Sequence, residues 1–383
     1  MKKVTLVDGN NLLFRSYYAT AYKGNILRNS KGFPTNALYG FINMLNKIVQ
    51  EEKPSYIMIA FDKGKTFRHE KYEGYKDGRK ETPQELKEQF PVAKKIAEAM
   101  GMHTFEIDNY EADDIIGTFA SEVDKNEDFI ATIISSDKDL LQLISDDVEV
   151  KLLKSNDYII MNKKTFFDTY GLTPDKMVDI KALMGDSSDN IPGVKGIGEK
   201  TALQLLQKYN SLDGVYENLE EISGKTQERL ENDKENAYFS KYLATIYKEV
   251  PIDTNLENIK YDGITSDYIP LLEKYEFFSI INKLDIKKEQ KQEKIEVNII
   301  NDIDKLKIED DYAIYIETKG NYHDKDIIGF AIYNDKVRIN LDYYIWFSSK
   351  SNRISPIDQV QNSDYLNINI VKFLLKMLSM ISQ

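Results

Sequence analysis

The 383-residue sequence has no cysteine, which excludes disulfide bonds and metal sites built on thiolates. Histidine is almost as scarce. His69, His103 and His323 are the whole complement, too few and too scattered for an imidazole-based metal site. Long hydrophobic runs are missing as well. The longest unbroken one, Tyr56–Phe61, falls far short of the ~20 apolar residues of a membrane span. The apolar run near the N-terminus, Val4–Val7, is too short for a signal peptide. The expectation is a cytoplasmic protein with no membrane association. A hard cation held by carboxylates is the metal chemistry that these absences leave open.

Hydrophobic residues make up 42% of the chain and charged residues 30%, an ordinary globular balance that supports a sizeable core and two or three domains. The net charge of −12 argues against indiscriminate binding to a polyanion. Local patches can still oppose that sign. Between Lys63 and Lys80, seven basic residues face three acids, a net +4.

The first half alternates short apolar runs with amphipathic stretches. Val4–Val7, Tyr56–Phe61 and Phe129–Ile134 have strand length, and helical periodicity fills Ala37–Val49, Glu85–Met100 and Ala112–Glu122. This alternation predicts an α/β domain with a largely parallel sheet over residues 1–170. From Thr173-Pro174-Asp175, a helix-start signature, the chain reads mostly helical to residue 285. A charged stretch at 286–296 reads as a linker in preference to a solvated helix end. Beyond it, Val297–Ile300, Tyr312–Ile316, Ile327–Tyr333 and Val337–Tyr344 predict strands and Asn367–Ser382 a helix, a small α/β domain over 297–383.

The acids fall at telling positions. Asp8 ends the first predicted strand, Asp62 follows the second, and Asp137 and Asp139 follow the third. In a parallel sheet the carboxyl ends of the strands share one edge, where ligands bind. Glu111, Asp113 and Asp114 open a predicted helix, where capping alone favours acids. Asp186 and Asp189 stand in a segment that also reads as a polar turn. Together, nine acids in five clusters would surround one cleft. Clustered carboxylates raise one another's pKa, and divalent cations remove that cost. Oxygen donors without thiolates point to Mg²⁺ or Mn²⁺. Two such ions can clamp the attacking and leaving oxygens of a phosphodiester.

Seven motifs in order carry a specific resemblance. They are Leu6-Val7-Asp8-Gly9-Asn10-Asn11, Phe61-Asp62, Phe67-Arg68-His69-Glu70, Tyr75-Lys76-Asp77-Gly78-Arg79, Glu111-Ala112-Asp113-Asp114, Ser136-Asp137-Lys138-Asp139-Leu140, and an eighteen-residue run from Gly185 to Ala202. Over residues 3–284 the sequence resembles the 5′–3′ exonuclease (flap endonuclease) domain of bacterial DNA polymerase I. The resemblance implies a 5′-nuclease (PIN-like) sheet flanked by helices, a helical arch, and a helix–three-turn–helix subdomain. It also implies two Mg²⁺ ions, replaceable by Mn²⁺. Asp8, Asp62, Glu111 and Asp113 would surround one ion. Asp113, Asp114, Asp137, Asp139 and Asp189 would serve the other, with Asp186 nearby. The implied substrate is DNA bearing a 5′ flap, nick or single-strand/duplex junction, including RNA-primed DNA, and a monomer is expected.

The same resemblance assigns Lys76 and Arg79 to the scissile phosphate, with Arg68 assisting; the residues alone read equally well as a solvated loop around Asp77-Gly78. Phe14, Arg15 and Tyr75 become DNA contacts, although a phenylalanine one to two turns after Asp8 also suits a core. Gly193, Lys195, Gly196, Gly198, Lys200 and Thr201 are not a nucleotide P-loop, because Glu199 separates the last glycine from Lys200. They read instead as a hairpin that lets backbone N–H groups grip a phosphate, and the resemblance adds a K⁺ ion there. Residues 297–383 resemble the beginning of a 3′–5′ exonuclease-like domain. Tyr315-Ile316-Glu317 stands where an active one needs Asp-x-Glu, so that domain is expected to be inactive. Two alternatives stay open on the residues alone: a non-catalytic DNA-junction binding protein, and a related nuclease acting on RNA.

Overall fold

A computed structural model describes residues 1–21, 26–155 and 157–284, together with three strands between 312 and 346. The chain divides into two units, Met1–Ile286 and Lys287–Gln383.

The first unit is built on a six-stranded sheet. In chain order its elements are β1 (Lys2–Asp8), α1 (Gly9–Thr20), α2 (Asn36–Glu52), β2 (Tyr56–Ala60), α3 (Phe67–Lys71), α4 (Gln84–Ala99), β3 (His103–Phe105), α5 (Ala112–Asp124), β4 (Phe129–Ser135), β5 (Val148–Leu153) and β6 (Tyr158–Met161). The strands lie in the order β3-β2-β1-β4-β5-β6, parallel except for β6.

Alternate residues of each central strand feed two cores. Val4 and Leu6 of β1, Met58 and Ala60 of β2, and Ala131 and Ile133 of β4 pack against Ile115, Ile116 and Phe119 of α5. Val7, Ile57, Ile59 and Ile134 point the other way, towards Leu12, Leu13, Phe41, Ile42 and Ile96 of α1, α2 and α4. Burial on both faces is why these strands are continuous apolar runs rather than alternating ones. Full burial of a side chain such as Phe119 or Phe41 contributes roughly 2–3 kcal/mol.

The helical part follows as α6 (Lys163–Tyr170), α7 (Met177–Met184), α8 (Glu199–Tyr209), α9 (Leu212–Glu217), α10 (Lys225–Asn232), α11 (Lys234–Ala244), α12 (Tyr268–Lys274) and α13 (Phe278–Ile281). Helices α6 to α11 extend the α5 core through Phe166, Ile180, Leu206, Val215, Leu230 and Ala237. The last two, α12 and α13, return to the opposite face through Tyr268, Leu272 and Ile280.

One expectation changes here. The segment between α3 and α4 is not a helical arch: residues 72–83 are turns and loop. Lys76 and Gly78 take left-handed backbone (φ 61° and 89°), and Pro83 lacks the N–H that a helix entering α4 from that side would use. Only the two ends of the arch segment, α3 and α4, are helical.

In the second unit, β7 (Tyr312–Lys319) pairs antiparallel with β8 (Asp326–Asn334), which pairs with β9 (Ile345–Trp346). The strands expected at 297–300 and 337–344 and the helix at 367–382 lie outside the described residues.

Candidate active site

Sheet register explains why acids far apart in the sequence meet. In β1, Val7 is level with Ile59 of β2 and Ile134 of β4, and Asp8 with Ala60. Asp8 therefore stands abreast of Ser135, and Asp62 and Asp137 follow within two residues of the neighbouring strand ends. The strand order reverses between β1 and β4, and a crevice opens outside the strand ends at such a switch point. Glu111 and Asp113 reach the same crevice from the N-terminus of α5.

The crevice is a cavity of about 460 Å³. Its walls include Asp8, Asp62, Glu111, Asp113, Asp137, Asp139 and Asp189. Phe14, Arg68, Tyr75, Lys76, Arg79 and Lys80 also line it. Seven of the nine expected acids are thus brought to one place.

Short hydrogen bonds orient them. Asp8 caps α1, accepting from the Asn11 N–H at 2.9 Å and from the Ser135 hydroxyl at 2.8 Å. Asp62 accepts from Asn10 Nδ2 at 2.7 Å and from the Ala112 N–H at 2.8 Å. Asp137 accepts from the Asp139 N–H at 2.9 Å. The Tyr75 hydroxyl bridges Glu111 and Asp189 at 3.2 and 3.3 Å.

Basic side chains neutralise part of the ring. Lys76 Nζ donates to Glu111 Oε1 at 2.7 Å, and Arg79 pairs with Asp189. The arch segment is pinned over the cavity by these pairs, by the Lys76 N–H on the Asp189 carbonyl (2.9 Å), and by Asn190 Nδ2 on the Gly74 carbonyl (2.7 Å). Lys181 lies between Asp139 (2.6 Å) and Asp186.

The remaining negative charge is costly. Burial pushes the Asp8 carboxyl up to about 7, with the charges of Asp62 and Asp137 adding to it. Burial likewise lifts Asp139 to about 7, helped by Asp137 and opposed by Lys181. Asp113 is raised well above the usual carboxylate range by burial and by Asp137, Asp8 and Asp62. Burial opposes the Lys76 ammonium, yet the charges of Glu111, Asp62 and Asp189 hold its pKa above the lysine norm.

Several expected residues are otherwise engaged or stand elsewhere. Asp114 is fully buried and does not line the cavity. Its two oxygens take four donors: Arg68 Nη1 and Nη2 at 2.8 Å each, the Glu111 N–H at 3.0 Å and the Tyr247 N–H at 2.8 Å. No lone pair is left facing a metal, so Asp114 is corrected from metal ligand to internal partner of Arg68. Arg68 is corrected with it. Its guanidinium also donates to the carbonyls of Leu243 (2.9 Å) and Thr245 (2.7 Å), which leaves it no free fork for a phosphate. Asp186 is outside the cavity walls and reaches the site through Lys181. Arg15 points to a separate hollow of about 180 Å³ that it shares with Lys47, Lys151 and Lys154.

The hairpin residues lie in the 185–198 connection and the first turn of α8. Gly185 and Gly193 have positive φ, and a Cβ on Gly193 would stand 2.2 Å from the Gly185 nitrogen, so this turn closes only with glycine at both positions. The Lys195 N–H donates to Asp233 and the Gly196 carbonyl accepts from Arg229. Gly198 is the N-cap of α8, whose first turn carries Lys200 and Thr201.

Sequence reasoning missed Lys181 and Gln142. Gln142 Nε2 donates to the carbonyls of Asp139 (2.9 Å) and Ala244 (3.1 Å), and its Oε1 accepts from the Ile246 N–H (3.0 Å). The strap 243–246 is thereby tied to the turn that carries Asp139. A lone lysine or glutamine on a helix has no local signal for such a role.

The chain matches the family described as 5′–3′ exonuclease, N-terminal resolvase-like domain, over residues 3–171, and 5′–3′ exonuclease, C-terminal SAM fold, over residues 172–267. This chain belongs to the 5′–3′ exonuclease family. Among its relatives, DNA polymerase I of Bacillus caldotenax is 38% identical over 375 residues, covering 93% of this chain and 42% of the relative. DNA polymerase I of Bacillus subtilis is 39% identical over 345 residues, covering 87% and 39%. The chain thus spans about two fifths of the length of those relatives. Its fold is similar to that of the bacteriophage T5 5′-exonuclease solved with bound zinc, with a TM-score of 0.54, 22% identity, and coverage of 73% of this chain and 99% of the other. A T5 flap endonuclease complex with DNA and metal ions superposes equally well, with a TM-score of 0.54 at 21% identity, covering 71% of this chain and all of the other.

The donor set of this chain suits hard divalent cations. It offers carboxylate oxygens and no thiolate, and carboxyls that burial and one another's charge push towards neutrality. Among the described residues no three acids are already drawn to a common point. They ring the cavity at a distance, with Lys76, Arg79 and Lys181 standing where positive charge is needed.

Proposed function

We propose that this chain hydrolyses DNA phosphodiester bonds as a 5′–3′ exonuclease and 5′-flap endonuclease. It would act at nicks, flaps and single-strand/duplex junctions, including RNA-primed DNA. The observation that carries the reading is the convergence of Asp8, Asp62, Glu111, Asp113, Asp137, Asp139 and Asp189 on one cavity. Two Mg²⁺ ions, or Mn²⁺ in their place, would be held there, and when bound they supply charge neutralisation and an activated water. The support is the donor set described above, together with relatives crystallised with zinc or with DNA and metal ions.

The chain's own residues supply the rest. Asn10, Asn11 and Ser135 hold Asp62 and Asp8 in place. Lys76 and Arg79, on a segment pinned over the cavity, stand ready to exchange Glu111 and Asp189 for phosphate oxygens and stabilise the developing charge. The N–H groups of Gly193, Val194, Lys195 and Ile197 are taken up within the protein, so the N-terminus of α8 is the part that suits a phosphate of the duplex, and a K⁺ ion on the 193–198 carbonyls belongs to the same reading. No helix among the described residues is long and apolar enough to cross a membrane; a cytoplasmic monomer is part of the proposal, as is a use in replication and repair.

The test is cleavage of a 5′-flap DNA by the purified chain, with Mg²⁺ and with chelator, beside a structured RNA. Mg²⁺-dependent incision at the junction is the expected result. Binding without incision would favour a junction-binding protein, and preference for RNA would overturn the substrate.

Lys76→Ala should slow cleavage by about 10²-fold or more while weakening DNA binding far less, because its charge counts most when negative charge develops. Equal losses in single-turnover rate and in Kd would make Lys76 a binding residue only.

The metal-free protein should also show a signature. Asp8 and Asp139 have folded pKa values raised to about 7 from an unfolded value of about 4. Between those values the unfolded chain carries fewer protons than the folded one. Stability of the metal-free protein therefore falls as pH rises through that window and levels off above about 7. Added Mg²⁺ should raise the melting temperature more at pH 8 than at pH 6. An equal or larger rise at pH 6 in a thermal melt would contradict the placement of metal among these acids.

A further inference from the structure

The wall of the cavity formed by α1 carries more aromatic surface than the chemistry needs. Phe14 lines the cavity. Phe90 of α4 stands edge-on to it, with ring centres 5.9 Å apart at 67°. One helical turn further out, Tyr18 lies nearly parallel to Phe14, at 6.4 Å and 21°. Tyr17 is buried and meets the Tyr18 ring edge-on at 5.3 Å and 87°. Tyr18 is thus steadied from below, yet 60% of its surface is exposed. Phe14 and Tyr18 form two steps, one at the cavity and one outside it on the same helix face.

We propose that Tyr18 binds the unpaired strand of the substrate, stacking on a base one step beyond the one at Phe14. The inference rests on the nuclease reading above and deepens it. Exposed aromatic faces bind successive bases without reading sequence, because every base has a π-face. The spacing selects the strand. One helical turn is about 5.4 Å, longer than the rise of about 3.4 Å per nucleotide in a duplex strand. The two rings therefore match neighbouring bases only in a strand drawn out of the helix. Lys80 and Arg79, which also line the cavity, would meet the phosphates of that strand.

The test pairs a protein change with a DNA change. Tyr18→Leu removes the ring from an exposed position, Tyr18→Phe keeps it, and thermal melts check that both fold. On a 5′-flap DNA with Mg²⁺, Tyr18→Leu should raise KM by about tenfold and Tyr18→Phe should not. A set of substrates, each with a single abasic nucleotide at a different place in the unpaired strand, should bring wild type and Tyr18→Leu to the same KM at one position and leave them apart at the others. A 2-aminopurine base at that position should be quenched by wild type and by Tyr18→Phe, but not by Tyr18→Leu, in binding measurements made with chelator. An unchanged KM for Tyr18→Leu, a gap that persists at every abasic position, or equal quenching by all three proteins would overturn the proposal. Failure of the wild type to cleave any flap would instead strike the nuclease reading, and the quenching measurement would still decide the stacking.

Discussion

Asp139→Asn is expected to reduce Mg²⁺-supported cleavage of a 5′-flap DNA by at least about 10³-fold, because several kcal/mol of transition-state charge stabilisation depend on the cation it would help to hold. The fold should survive. Asp139 is anchored through its backbone, with its N–H on Asp137 and its carbonyl on Gln142, and Lys181 keeps Asp186 as a partner. The neutral amide also relieves the crowding that lifts the Asp139 carboxyl to about 7. The metal-free variant should therefore melt no lower than wild type at pH 8. Asp137→Ala should give the same loss of cleavage, since its charge lies against Asp113 and Asp139. Single-turnover rates and melting curves on the two proteins decide the matter. Wild-type rates in both would remove these acids from the metal site.

Arg68→Ala should have the largest effect on stability. The Arg68 side chain is 3% exposed and that of Asp114 is 0%. Truncating the arginine leaves a carboxylate buried without its counter-ion, and the Leu243 and Thr245 carbonyls lose their donor. Breaking such a pair from one side costs about 3–5 kcal/mol. In a domain of this size the expected fall in melting temperature is on the order of 10 °C. Replacing both partners with apolar residues, as in Arg68→Met with Asp114→Leu, should recover much of that loss. Activity should fall in Arg68→Ala as well, because Asp114 also receives the Glu111 N–H and so orients the first turn of α5. If Arg68→Ala weakened DNA binding but melted like wild type, the guanidinium would be a phosphate contact after all and the structural assignment would fail.

Much of the fold was legible in the sequence because its signals are local. Val4–Val7, Tyr56–Phe61 and Phe129–Ile134 are apolar for as long as a strand lasts, and the stretches between them have helical periodicity. Strands buried on both faces and linked by helices must run parallel, so their carboxyl ends share an edge, and acids placed just after those strands must meet there. That much follows from chain geometry, and it is enough to bring Asp8, Asp62, Asp137 and Asp139 together. The absence of cysteine and the scarcity of histidine settled the kind of ligand available.

Which acids face the cavity was a matter for the tertiary structure alone. Asp113 and Asp114 are neighbours on one helix turn, and no pattern distinguishes them. A rotation of about 100° per residue turns one into the cavity and the other into the body of the protein, where Arg68 and the strap 243–247 arrive from more than forty residues away in either direction. The same holds for Lys181, which is an ordinary helical lysine until Asp139 and Asp186 are folded against it. Local periodicity determines which segments form and which ends they share. The direction of a single side chain, and the partner it finds, are set by packing between segments that the sequence keeps far apart.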